Sequence, residues 1–269
     1  MGRIDGALRA RILSAVVMIP PVVLAVGLGS PFMEALMTVA AVGMAWEWSR
    51  LVERGQFGFG GMAMVTVVVV AIFLASSHSP AWGAAFVLGG VILVVGMATL
   101  AGQRSVSLQG VGTLYVGFPC LALIWLRLDP ETGLISVLWL LLVVWATDIG
   151  AYVAGSKIGG PKIWTAISPK KTWAGLIGGM VGAALVGGIL AGVASEGSIF
   201  PTAVISAGLA IVAQAGDFFE SGMKRHFGVK DSSNLIPGHG GILDRVDGLI
   251  TAALAVAGLK LLGLEGLPL

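Results

Sequence analysis

Acids and bases are interleaved most densely between Gly216 and Gly248, in the run GDFFESGMKRHFGVKDSSNLIPGHGGILDRVDG. If the apolar helix that leads into this run continues through Arg225, then Asp217, Glu220, Ser221 and Lys224 fall at i, i+3, i+4 and i+7 and share one face. Asp244 and Asp247 stand three residues apart where the last apolar segment begins, so both carboxylates point the same way, with Arg245 on the adjoining face. Taken alone, that pair reads as acids favoured by a helix N-terminus. Taken with Asp217 it reads differently, because carboxylates gathered at a membrane edge tend to line a polar cavity and offer oxygen ligands to a hard divalent cation. Mg²⁺ is usually held by one or two carboxylates together with substrate phosphate. Lys224, Arg225, Lys230 and Arg245 are then placed to hold the phosphates. The chemistry predicted is metal plus phosphate.

Between the two helices, Pro237-Gly238-His239-Gly240-Gly241 predicts a turn in which backbone amides at Gly240 and Gly241 approach a ligand closely. His239 reads either as a hydrogen-bonded polar residue or as a phosphate contact or proton donor. A second polar loop, GSKIGGPKIWTAISPKKTWAG, follows Asp148 in WATDIGAY. Asp148 lies inside an apolar segment, where an ionisable residue points to function, so it is expected to support or join the metal ligands. Lys170 and Lys171 precede a helix start and suit phosphate; their ordinary reading is as membrane-flanking cations. No G-x-x-x-x-G-K-[ST] motif occurs, so a P-loop nucleotide site is not supported.

The elements that must position these residues are membrane helices. The chain of 269 residues is 57% apolar and 11% charged, with a mean hydropathy of +0.96, too little polar surface to cover a water-soluble globule. Segments near the roughly 20 residues a spanning helix needs occur at 12–28, 31–47, 62–77, 82–101, 111–126, 134–154, 173–194, 201–220 and 243–263. The fold class predicted is therefore all-α, a polytopic bundle of about nine transmembrane helices. Runs such as Met62 to Leu74 are apolar on every side, which excludes the alternation of a transmembrane barrel. Pro20 and Pro21 are expected to kink the first helix or shift its edge. Gly178, Gly182 and Gly187 suit a close helix–helix seam.

Alternating the segments from a basic N-terminus puts every Lys and Arg except Arg127 and Lys260 on one face, which the positive-inside rule makes cytoplasmic. The N-terminal segment reads as an uncleaved helix, and Cys120, the only cysteine, excludes a disulfide framework. Glu47, between Trp46 and Trp48, reads as an interfacial anchor. The chain is treated as one membrane domain over 1–269, with N-terminal helices to about 130 and a chemically equipped half over 131–269. The basic loops need no nucleic acid to explain them.

Ser221, Lys224-Arg225, Lys230-Asp231, Ser233, Ile236-Pro237, His239-Gly240-Gly241 and Asp244-Arg245-Val246-Asp247 together resemble the signature of the phosphatidate cytidylyltransferases, the CDP-diacylglycerol synthases. The segments from Thr147 to Tyr152 and from Ser168 to Gly175 also look like blocks of that family, so the resemblance spans roughly residues 145–250. Gly248 departs from it, standing where many relatives carry a small polar residue. The resemblance implies Mg²⁺-dependent transfer of CMP from CTP to phosphatidic acid, with room for a second cation, on the cytoplasmic side of a bacterial inner membrane. It also implies a homodimer. The expected metal ligands are Asp217, Asp244 and Asp247 with Asp148. Phosphates are expected at Lys224, Arg225, Lys230, Arg245, Lys170 and Lys171, with Ser221 and His239 as polar contacts. Two other classes fit parts of the pattern: an ion-coupled transporter, whose acids would sit mid-membrane on broken helices, and another lipid-phosphate transferase with a different donor. The D-G-x-x-A-R motif of CDP-alcohol phosphotransferases is absent.

Overall fold

Each of the nine apolar segments forms a helix in the computed structural model, which describes residues 6–194, 198–236, 238 and 240–263. Uniform apolarity without breakers favours continuous helix in lipid, where every backbone polar group must be satisfied within its own segment. Six helices, α3 to α8 as bounded below, are long and apolar enough to cross a membrane by length and composition. α2 carries Glu34, Glu47 and Arg50, and α9 carries Asp244, Arg245, Asp247 and Lys260. These charges separate both from the purely apolar helices.

The chain folds as two compact units. The first comprises 1–128 and 226–246. It holds α1 (Gly6–Leu28), α2 (Phe32–Val52), α3 (Phe59–Ser77), α4 (Pro80–Leu100) and α5 (Val106–Arg127). α1 runs unbroken through Pro20 and Pro21, so the pair does not move the helix edge. The carbonyls it leaves at its C-terminus are met from α5: Arg127 Nε donates to Val26 O at 2.6 Å and Nη2 to Gly27 O at 3.2 Å. α3 and α4 meet through small residues, with Gly83 against Ala71 and Gly90 against Val67. Trp48 of α2 is fully buried, its ring against Gly112 and 5.0 Å from that of Tyr115, and its indole N–H donates to Leu108 O at 2.7 Å. That anchor fixes α2 on α5 and sets the direction of the neighbouring Glu47.

The second unit comprises 129–225 and 247–269. It holds α6 (Gly133–Lys157), a hairpin of β1 (Lys162–Trp164) and β2 (Ser168–Thr172), α7 (Trp173–Ala194), and most of α8 (Ile199–His226) and α9 (Leu243–Leu261). β1 and β2 pair antiparallel, Lys162 opposite Thr172 and Trp164 opposite Ser168. α6 and α7 touch backbone to backbone: a Cβ at Gly178 would meet Ala154 and Gly150, and one at Gly182 would lie 2.8 Å from Ala146 O. Gly187 serves α8 instead, against Ser206 and Thr202. Trp139 donates to Ser206 Oγ at 3.0 Å, joining α6 to α8. Thr251 donates to Val212 O at 3.0 Å, joining α9 to α8. Outside this packing, α7 presents Ile177, Val181, Leu185, Ile189 and Val193 as an exposed row, an apolar face suited to lipid rather than water. Lys260 pairs with Asp129 at 2.7 Å. Together with the Thr132 and Glu131 amides, its ammonium holds the Asp129 carboxyl well below the usual carboxylate range.

Candidate active site

The second unit gathers the charged cluster that the sequence placed on α8. Asp217 is held at both oxygens: Lys171 Nζ lies 2.5 Å from Oδ2, and Ser221 Oγ donates to Oδ1 at 3.1 Å, one turn on. Lys171 also sits 4.4 Å above the Phe218 ring. The short hairpin makes this pairing. It folds the loop back so that Thr172 becomes the cap of α7, its Oγ1 accepting from Gly175 N at 3.0 Å, and Lys171 is delivered toward α8. Glycines let the elements close up, since a Cβ at Gly155 would sit 3.2 Å from Thr172 Oγ1.

These residues surround a cavity of about 440 Å³ lined by Asp148, Lys162, Lys170, Lys171 and Asp217. Asp247 lies one α9–α8 contact away, where Gly216 packs against its own carbonyl. It is within electrostatic reach of Asp217 and Asp148, and its carboxyl hydrogen-bonds Glu220. Glu220 is 1% exposed and pairs with Lys224 at 3.2 Å. Arg225 is exposed at the end of α8.

Asp148, Asp217 and Asp247 therefore share one unit with Lys170, Lys171 and Lys224. No three His, Cys, Asp or Glu side chains among the described residues form a group able to hold a metal ion unaided. The donor set fits a hard cation that completes its shell with water and phosphate oxygen, since every acidic donor here is a carboxylate and Asp217 already attracts positive charge.

The first unit contains the glycine-rich loop, and a residue read from the sequence as an anchor organises it. Glu47 is 0% exposed. Its Oε1 accepts from Ser233 Oγ at 2.6 Å and Ile242 N at 2.8 Å; its Oε2 accepts from Leu243 N at 2.8 Å and Ser232 Oγ at 3.3 Å. A carboxylate from α2 thus caps the first amides of α9 and satisfies the negative-charge preference of a helix N-terminus. The interfacial-anchor reading of Glu47 is overturned by that burial. Trp46 and Trp48 drew it, but Trp48 is itself interior.

Asp244 works on the same loop. Its Oδ2 accepts from Ser232 N at 2.9 Å, Ser232 Oγ at 2.8 Å and Gly241 N at 2.8 Å. Sequence reasoning grouped Asp244 with Asp217 and Asp247 as metal ligands; in the structure three donors already fill this oxygen. The turn closes where Ile236 N donates to Gly240 O at 2.8 Å and Gly240 N returns to Ile236 O at 3.1 Å. Gly240 adopts φ +83°, a region that side chains rarely enter. At Gly241 a Cβ would collide with Ser232 Oγ and the Glu47 carboxylate. Lys230 and Arg245 are exposed in this unit. His239 and Pro237 lie outside the described residues.

Comparison with known proteins follows the same residues. A model of the cytidylyltransferase family matches residues 9–261. Over 219 residues, covering 79% of each chain, the sequence is 38% identical to the phosphatidate cytidylyltransferase of Brucella suis biovar 1. It is 31% identical over 214 residues to a protein of the same name from Staphylococcus epidermidis, covering 79% of this chain and 71% of that one. A third, from Staphylococcus haemolyticus, is 44% identical over 116 residues, 43% of this chain and 45% of the relative.

Proposed function

The chain belongs to the cytidylyltransferase family, and we propose that it transfers CMP from CTP to phosphatidic acid, yielding CDP-diacylglycerol and pyrophosphate. The observation that carries the reading is the cavity where Lys171 meets Asp217, flanked by Lys162, Lys170 and Asp148. It offers cations for phosphate and carboxylates for a metal side by side. Agreement along most of the chain with relatives named phosphatidate cytidylyltransferase supports the choice of donor and acceptor.

In this reaction a phosphate oxygen of the lipid attacks the α-phosphorus of CTP. The new P–O bond forms as the bond to the β-phosphate oxygen breaks, and pyrophosphate leaves. The nucleophile is already an anion, so the protein needs no strong base; it must position like-charged groups and neutralise them. Lys162, Lys170 and Lys171 bind phosphate oxygens in the cavity, and Lys224 and Arg225 extend the positive field along α8. Ser221 and Glu220 hold Asp217 and Asp247 in place. We assign a Mg²⁺ ion to Asp217 and Asp247, with Asp148 in support; when bound it would neutralise charge on the phosphoryl oxygens, and a second cation is accommodated by the same donors. Asp244, with Gly240 and Gly241, keeps the loop in shape, while Lys230, Arg245 and His239 complete the phosphate contacts on the strength of the signature. The enzyme is placed in the bacterial inner membrane, its charged loops toward the cytoplasm, as a homodimer.

The test is product formation by the full-length protein in detergent, supplied with labelled CTP and phosphatidic acid, with Mg²⁺ or with chelator. Metal-dependent CDP-diacylglycerol from the wild type and none from a folded Asp217→Asn variant supports the reading. A stable wild-type preparation that makes no product from CTP or dCTP overturns it.

A further inference from the structure

We infer that the first unit carries a separate phosphate-binding pocket at the C-terminal end of α2, with Arg54 as its principal contact. A cavity of about 910 Å³ opens there, lined by Trp46, Arg50, Arg54, His226, Ser232 and Asn234 among others. Its volume is in the range of small-molecule sites. Two guanidiniums and an imidazole face it, and none of its described lining residues is acidic.

The two arginines are not equivalent. A helix C-terminus favours cations for its own sake, and Arg50 serves that end: its Nε donates to Gly55 O at 3.0 Å while its guanidinium stacks 4.5 Å from the Trp46 ring. Arg54 makes no side-chain hydrogen bond or ion pair among the described residues, although it is exposed at the pocket. It also occupies φ +53°, the one non-glycine residue with positive φ among those described. That backbone is fixed by Gly55 N donating to Arg50 O at 2.6 Å, across the helix end. The position closing a helix in this way ordinarily belongs to glycine, and a bulky side chain held there points to a use for the side chain.

The chemistry recognised is a phosphate-bearing anion. A guanidinium offers a planar pair of donors that matches phosphate oxygens, and the Asn234 amide and the Ser232 hydroxyl add polar contacts. The floor of the pocket is the loop that Glu47 and Asp244 hold rigid, so the donors are pre-positioned before a ligand arrives. Two sources present this chemistry to the protein: the polyphosphate of the nucleotide and the headgroup of an anionic lipid. The nucleotide source rests on the function proposed above; the lipid source does not.

The experiment compares wild type, Arg54→Gln and Arg54→Lys, each full-length in detergent. CTP binding is measured by calorimetry without lipid, and binding of phosphatidic acid is measured in mixed micelles without nucleotide. Loss of one charge-assisted contact is expected to weaken one of the two probes about tenfold or more, with partial recovery in the lysine variant and a shallower salt dependence. A loss confined to CTP identifies the nucleotide, and one confined to the micelles identifies the headgroup. Affinities within twofold of wild type for both probes overturn the pocket, as does a loss accompanied by a lowered unfolding midpoint. Wild-type CDP-diacylglycerol synthesis, run in parallel, separates failure of the pocket from failure of the functional reading.

Discussion

Replacing Glu47 by glutamine keeps the side chain's volume and removes one acceptor oxygen, which makes it a direct probe of how the glycine-rich loop is held. Four donors converge on the carboxylate, two of them the backbone amides of Ile242 and Leu243 at 2.8 Å each. The hydroxyls of Ser232 and Ser233 can rotate to accept from an amide NH₂; a backbone N–H cannot. Whichever way the glutamine turns, one of the two amides faces a donor and loses its partner. An unsatisfied buried donor costs about 1–3 kcal/mol, and loss of the charge at the α9 N-terminus adds about 0.3–1 kcal/mol. Glu47→Gln should therefore destabilise the first unit by about 2–3 kcal/mol. Glu47→Ala strands both amides and opens a cavity, for about 3–5 kcal/mol. The assay is limited proteolysis of the 227–242 loop in detergent alongside the thermal unfolding midpoint and CMP transfer. Cleavage should rise in the order wild type, glutamine, alanine. A glutamine variant with wild-type proteolysis, midpoint and turnover would refute the reasoning, because the carboxylate would then be holding nothing that matters.

Gly241→Ala places a methyl group on Ser232 Oγ and the Glu47 carboxylate, so we expect at least about 2 kcal/mol of destabilisation, within the cost of overpacking a tight site, and loss of turnover on assay. Lys171→Gln removes the cation paired with Asp217; turnover should fall about 10²-fold or more, as for loss of one charge-stabilising donor, with Lys171→Arg recovering part of it. Lys260→Met removes the partner that lowers the Asp129 carboxyl. Because the folded value lies below the unfolded one, the stabilisation is complete above the ordinary carboxylate range and fades as pH falls through the folded value. Unfolding midpoints should therefore differ by about 0.5–1 kcal/mol at neutral pH, and the gap should close in acid.

Helix positions were legible because apolar runs bounded by charges leave few alternatives in lipid; α7 runs over 173–194, where the hydropathy placed it. The seam glycines were legible for the same reason, although only Gly178 and Gly182 pack on α6 while Gly187 packs on α8. Lys171 was recognised as a phosphate ligand, but its pairing with Asp217 was not, because that pairing depends on a hairpin whose strands are three and five residues long. SPKKT carries no alternation that would have announced a strand. Asp244 shows a partial success: an acid favoured by a helix start is close to what its acceptance of the Gly241 amide does. Glu47 was missed although the signal existed. It is an acid inside an apolar segment, the same observation that singled out Asp148, and its tryptophan neighbours suggested an interface instead. Its partners lie 185 to 196 residues away, beyond any local pattern.

That separation sets a clock on biogenesis. Glu47 is synthesised early, and the amide that caps it at Leu243 arrives 196 residues later. At ribosomal speeds of roughly 5–20 residues per second the carboxylate waits about 10–40 s in a nascent membrane protein with its final donors unmade. Any chain that terminates before Leu243 keeps α2 without them permanently. Such truncated products present an uncompensated acid within an otherwise apolar helix, the kind of defect that membrane quality control can read.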